Sequence, residues 1–209
     1  MEREANIIDF KNEYLIKLSE ADVDEGLIRW LESSGFFTSP ATTKYHHNFE
    51  GGLCLHSLQV ANLMVRFSKL FGVNISEKSL LRVGLLHEIS KSDYFELSAS
   101  NKKVYSPDGD KYDDLGRFYW QSELGYKVKD KSSRVVVGNT GFHSYMVSKE
   151  WVKYTDDEII ALCNYSNISN SDSSPEVLSI LSNCKLMLLL HLADMASSYL
   201  NRSYYDISF

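Results

Sequence analysis

His56, the adjacent pair His87 and Glu88, and Asp194 are the residues of this 209-residue chain whose types and settings point to chemistry. His87 and Glu88 interrupt the apolar run LLRVGLLHEIS, and Asp194 interrupts LMLLLHLADMA. A carboxylate buried on an apolar helix needs a cation or strong hydrogen bonds, because taking a charge out of water is costly. A metal ion is one such cation. Two imidazoles and two carboxylates, with no thiolate, form a hard-to-borderline donor set. It suits one divalent ion of Mn, Fe, Co, Ni, Mg or Zn and leaves coordination positions for water. Such water can become a nucleophile, so the chemistry expected is metal-assisted hydrolysis. A single histidine on an apolar helix reads more simply as a hydrogen-bonded core residue; the joint pattern is what argues for a site.

Helical periodicity dominates the elements that must position these groups. It predicts a helix around Ile7 to Leu18 and a second from Asp22 to Leu31, where Leu27, Ile28 and Leu31 share a face, ended by Gly35. The stretch GFFTSPATTKYHHNFEGG reads as an irregular loop carrying His46 and His47. Helices follow at Leu55 to Phe71 and at Glu77 to Lys91, the latter with Ser76 as its N-cap. Further helices are expected from His143 to Trp151, from Thr155 to Tyr165 behind a Thr-Asp-Asp-Glu start, and from Pro175 to about Asn201. Between Ser98 and Arg134 the pattern breaks. SPDGDKYDD is a turn signal, and KVYS before it and GRFYW after it are expected to pair as a short hairpin within an insertion. The polar run NISNSDSS reads as a loop.

Composition narrows the function. Hydrophobic residues at 44% and charged residues at 24% are those of a folded globular chain, which we read as one domain over residues 1–209 with residues 1–40 as an N-terminal helical extension. A net charge of −6 opposes binding to a long phosphate polymer, so the expected partner is a small nucleotide and not a long nucleic acid. Lys127, Lys129, Lys131 and Arg134 form the only basic concentration, interleaved with Asp130; it reads as a solvated loop or as a phosphate patch. The opening has no basic-then-apolar leader and no run nears 18 apolar residues, so neither secretion nor a membrane span is expected. Cys54, Cys163 and Cys184 are odd in number and sit in apolar helical settings, which suggests reduced thiols and a cytoplasmic location. Self-association as a homo-oligomer stays open.

The segments GGLCLHS, LLHEISK about thirty residues on, and HLADMASSY resemble the His, His-Asp and Asp signatures of HD-domain phosphohydrolases. RWLESSGFFTSPATTKYHHNFEGGL is similar to the approach to the first histidine in a bacterial and prophage-borne HD subgroup. GFHSYMVSKEWVKYTDDEIIAL is similar to that subgroup's second half. The resemblance implies an all-α HD-domain helical bundle, with a small β-hairpin or loop insertion near residues 98–134. It implies one divalent metal among His56, His87, Glu88 and Asp194, and hydrolysis of a bound phosphoryl group by a metal-activated water. Lys91 matches the lysine that ends the family's motif and is expected to neutralise phosphate or pair with a carboxylate. His46 matches a histidine of the preceding loop that contacts substrate, whereas His47 is expected to be exposed. The chain departs from the family where Glu88 replaces an aspartate and where Thr140 and Tyr165 stand at positions at which the subgroup carries histidines. A second metal is therefore not expected. His143, three residues from Thr140, is a candidate substrate contact. His191 shares the helical face of Asp194 and is expected to support it from behind.

The activity expected is removal of one or more phosphates from a nucleotide or deoxynucleotide, with Lys91 and Asp93 as catalytic candidates and Glu96 as a further proton-transfer group. Tyr112, Phe118, Tyr119 and Trp120 would stack on a base or pack beneath a flap. Two rival readings are a degenerate HD domain that binds a nucleotide or a partner without turnover, and a ribonuclease, which the acidic charge disfavours.

Overall fold

The computed structural model describes residues 2–134, 139–166 and 175–200, so the NISNSDSS loop and Asn201 lie outside the described residues. Helices α1 (Glu2–Glu20), α2 (Glu25–Ser33), α3 (Gly52–Leu70) and α4 (Glu77–Leu86) precede the sheet; α5 (Thr140–Ser148), α6 (Asp156–Asn164), α7 (Pro175–Asn183) and α8 (Lys185–Tyr199) follow it. Asp24, Ser76, Asn139 and Thr155 cap α2, α4, α5 and α6 with side-chain oxygens that accept from backbone N–H groups, and Thr155 with Glu158 completes a capping box.

The chain is not all-α. Strands β1 (Phe95–Tyr105), β2 (Lys111–Asp113) and β3 (Gly116–Val128) form a three-stranded antiparallel sheet in the order β1-β3-β2. The β1–β3 ladder runs unbroken from Phe95 opposite Val128 to Tyr105 opposite Phe118, far beyond a short hairpin. The sheet forms because apolar side chains alternate: Phe95, Leu97, Ala99 and Tyr105 lie on the same face as Val128, Tyr126, Leu124 and Phe118. Most of its residues are exposed, so its stability rests on cross-strand pairs and the ladder more than on a buried core.

Two further differences concern helix ends. The helix expected over residues 77–91 stops at Leu86, with His87 as its C-cap, and a 3-10 turn over Ile89–Asp93 continues the chain. The expected Pro175–Asn201 helix is divided at Cys184, which leaves helical angles at φ −107° and ψ 88°.

The core lies where α3 meets α4, α8 and α1. Phe10, Tyr14, Leu18, Leu27 and Leu31 of the first forty residues are buried with Leu55, Leu58, Leu85 and Leu86. The Tyr14 hydroxyl donates to the Leu85 carbonyl at 2.8 Å, which ties α1 to the end of α4. A second cluster joins Val60 and Met64 of α3 to Leu162 of α6 and to Met187, Leu190 and Ala193 of α8. Arg82 links α4 to α6 through a buried pair with Glu158, at 3.1 Å, and also donates to the Ala21 and Lys153 carbonyls. The crossing of α3 over α4 is made at Gly84, where a Cβ would stand 2.6 Å from the Ala61 Cα. No helix among the described residues is long and apolar enough to cross a membrane.

Gly84→Ala is expected to force these helices apart and lower unfolding stability by about 1–3 kcal/mol in urea titration. Gly125→Ala, on the exposed ribbon with nothing within 4 Å of the new Cβ, is expected to leave the midpoint nearly unchanged. Equal effects at both positions would show that the crossing is not tight.

Candidate metal centre

His56 enters from the second turn of α3, His87 from the end of α4, Glu88 from the residue after it, and Asp194 from the C-terminal half of α8. The close Gly84–Ala61 crossing brings the end of α4 to the start of α3, and α8 packs along α3. The ligand atoms of His56, His87 and Asp194 all lie within 4.8 Å of one another. His56 Nε2 is 3.2 Å from Asp194 Oδ1 and 3.7 Å from Glu88 Oε2. All three of the segments that carry the sequence signatures therefore meet at one place.

The hydrogen bonds behind the two histidines fix where their lone pairs point. Ser197 donates its hydroxyl proton to Gln59 Oε1 at 2.8 Å, so its oxygen must accept from His56 Nδ1, 3.0 Å away. His87 Nδ1 faces the Gly84 carbonyl at 2.8 Å, and a carbonyl only accepts. Each ring thus carries a proton on Nδ1, and Nε2 is the ring atom turned to the cluster, where a neutral imidazole offers its lone pair. His56 Nε2, His87 Nε2 and Glu88 Oε2 are buried and make no hydrogen bond. Three buried acceptors facing one another, with a carboxylate alongside, repel unless a positive charge lies between them. Lys91 answers Glu88 through Oε1 and a proton on His56 would answer Asp194, but His87 Nε2 would still have no partner. A single divalent ion answers all of them, so this donor set fits the metal.

Charge and burial pull against each other here. Burial pushes the Glu88 carboxyl up, but the Lys91 ammonium beside it outweighs burial and holds it below the ordinary value. Burial likewise pushes Asp194 up and is outweighed by His56 beside it, with Lys91 adding to the pull, so it stays well below the usual carboxylate range. Burial lowers His87 and keeps it neutral. Both carboxylates are anionic and His87 is neutral, which is the protonation state in which these three groups can ligate.

Lys91 reaches Glu88 Oε1 at 2.5 Å from one turn away, and His46 lies beside the cluster, with ring centroids 5.1 Å from His56 and its Nε2 3.3 Å from Ser198 Oγ. His47 is buried rather than exposed: a positive φ of 50° turns it inward, and Gly52 presses on its carbonyl, which a Cβ there would approach to 2.1 Å. With His46 and His56 it forms a second close group of nitrogen ligands. The structure does not bring Asp93 to the cluster, because its carboxylate pairs with Lys129. Glu96 pairs with Lys127 on the ribbon at 3.1 Å. His143 belongs to neither ligand group and lies against Phe142. His191 acts at one remove, with Nδ1 3.1 Å from the carbonyl of Tyr165, whose buried ring stands edge-on to His87 at 5.5 Å. Ser197, Gln59 and Gly84 carry the site without having been singled out from sequence, although Gln59 follows His56 by three and Ser197 follows Asp194 by three, the spacing that places each pair on one helical face. Comparison with protein-family models, with curated proteins and with solved structures finds no match for this chain.

The two loop histidines give the metal-free protein a pH dependence. Burial, then the neighbouring His56, pushes His46 down to about 4, and burial with the His56 and His46 rings pushes His47 down to about 2. Both are neutral when folded and titrate near the ordinary 6.5 when unfolded, so the unfolded chain takes up more protons below that pH. Their contribution to stability is complete above about pH 6.5 and declines as pH falls toward 4 and below. In chelator, the urea midpoint is expected to fall between pH 7 and pH 5, and His47→Asn, which tolerates the positive φ, is expected to flatten that slope. A His47→Asn slope as steep as the wild type would show that His47 is not held neutral by burial.

Proposed function

We propose that this chain is a metal-dependent phosphohydrolase of the HD type that removes phosphate from a small nucleotide or deoxynucleotide. The observation that carries the reading is that hydrogen bonds at Nδ1 turn His56 Nε2 and His87 Nε2 toward the buried Glu88 carboxylate and the part-exposed Asp194 carboxylate. Those four residues would hold the ion, which when bound supplies a Lewis acid for a phosphoryl oxygen and lowers the pKa of water. Asp194 is the most exposed of the four, at 24% of its side chain against 8% or less for His56 and Glu88, so substrate would approach from its side. Lys91 supplies positive charge next to Glu88, and its Nζ can turn to a phosphate oxygen without losing its anchor near the Ala41 carbonyl. His46, neutral near pH 7 and hydrogen-bonded to Ser198, is a phosphate or base contact at the same rim. Tyr165 occupies the flank of His87, which favours one ion over two. The cysteines are free, and Cys54 and Cys184 are buried, which suits a reducing compartment such as the cytoplasm.

The Lys91–Glu88 ion pair favours a second reading, a domain that binds a nucleotide without turning it over, with the lysine standing where metal charge would otherwise be needed.

Elemental analysis of the purified protein is expected to find about one transition-metal ion per chain, lost in His87→Ala and retained in Glu88→Asp. Phosphate release is expected from at least one member of a panel of ribo- and deoxynucleotide mono-, di- and triphosphates with Mn²⁺, Co²⁺, Ni²⁺ or Mg²⁺. Metal retention with nucleotide binding and no release would establish the binding module instead. Metal content unchanged in His87→Ala would refute the centre itself.

A further inference from the structure

The 3-10 turn over Ile89–Asp93 has two working faces. Glu88 and Lys91 meet one another on the metal side. Ser90, Ser92 and Asp93 instead line a cavity of about 320 Å³, closed by Trp30 and Ser34 of the α2 end and by Tyr94 and Arg134. That volume is at the lower end of the range that small-molecule sites occupy. No ligand of the metal centre lines it.

The polar groups of the wall are unevenly committed. Ser33 and Ser34 donate their hydroxyl protons to the Trp30 and Leu31 carbonyls at 3.0 and 3.1 Å. Ser90 donates to the Thr140 carbonyl at 3.0 Å, and Ser92 to that of Ile89. Each hydroxyl therefore turns lone pairs, not protons, to anything it meets in the cavity. The donor on the other side is Arg134, stacked over Tyr94 at 4.6 Å, whose buried Nε has no hydrogen-bond partner. Lys129 pairs with Asp93 and cancels its charge, while the nearby Asp130 carboxylate is engaged by the Ser132 N–H and hydroxyl. Among the described residues, Arg134 is the one cationic side chain of the wall, with Asp130 acting on it from outside the lining. The basic stretch Lys127 to Arg134, ambiguous in sequence between solvated loop and phosphate patch, thus delivers one residue to a built concave site.

We propose that this cavity binds a small planar aromatic molecule that carries one anionic group and hydrogen-bond donors on its ring. The carboxylate or phosphate takes the Arg134 guanidinium, the ring lies against Trp30 and Tyr94, and its amino or hydroxyl substituents donate to the serine oxygens. The site is separate from the metal centre, so the proposal stands whether or not the chain hydrolyses nucleotides.

The test is isothermal titration of the full chain in excess chelator with 4-aminobenzoate and 4-aminophenyl phosphate as probes and aniline as the neutral control. One saturable site per chain is expected for at least one of the two anions, and none for aniline; the tighter anion identifies the headgroup. Arg134→Gln is expected to weaken binding by about tenfold or more, the loss of one charged hydrogen bond. Ser33→Trp, which fills the cavity from its exposed rim, is expected to abolish it. Lys91→Met, on the other face of the turn, is expected to leave it unchanged. The proposal is overturned if neither anion binds, if aniline binds as tightly, if Arg134→Gln binds like the wild type, or if Lys91→Met removes binding and so places the probe at the metal centre.

Discussion

Two imidazole lone pairs and two carboxylates meet at the junction of α3, α4 and α8, and the positive charge they require is the constraint to which the rest of the chain is fitted. Acceptors do not gather in a protein interior by default, because each loses water and gains repulsion. Here they are held by devices that cost something locally. Gly84 gives up a side chain so that two helices can touch, His47 takes a left-handed backbone angle, and Ser197 and Gln59 are buried to direct one imidazole. Such expenditure is common where structure serves a site.

Lys91 moderates the same constraint. Its ammonium holds Glu88 ionised against burial and makes the cluster of acceptors less repulsive. The short turn that carries Lys91 also presents Ser90 and Asp93 on its other side, where a 3-10 repeat of three residues separates the two faces cleanly.

The sheet follows a different logic. Leu97, Leu124 and Trp120 on its apolar face stay substantially exposed, and the ladder from Phe95 to Tyr105 is held by backbone pairing and cross-strand contacts, such as Lys103 over the Phe118 ring and against Asp113. Its central residues, SASNKK and QSELG, have little strand preference of their own. The length of the strands is set by register propagating along the ladder, which is why local preference gave only a short hairpin, and the all-α body implied by the family resemblance left no place for a three-stranded sheet.

By itself the sequence determined the helices with strong periodicity and good caps, and it singled out the groups that now cluster, because a polar residue in an apolar run is anomalous wherever the run folds. Ser76 and Thr155 cap their helices by rules that act within four residues, and His56, His87, Glu88 and Asp194 stand out by their immediate neighbours. Only the tertiary structure decided how those groups are used. Asp93 is drawn away by Lys129, His47 is turned inward by its loop, the fourth helix ends at Leu86, and the ribbon pairs over its full length. Each depends on a partner distant in sequence or on the path of a loop. Local preference fixes which residues are costly to bury; long-range geometry fixes what compensates them.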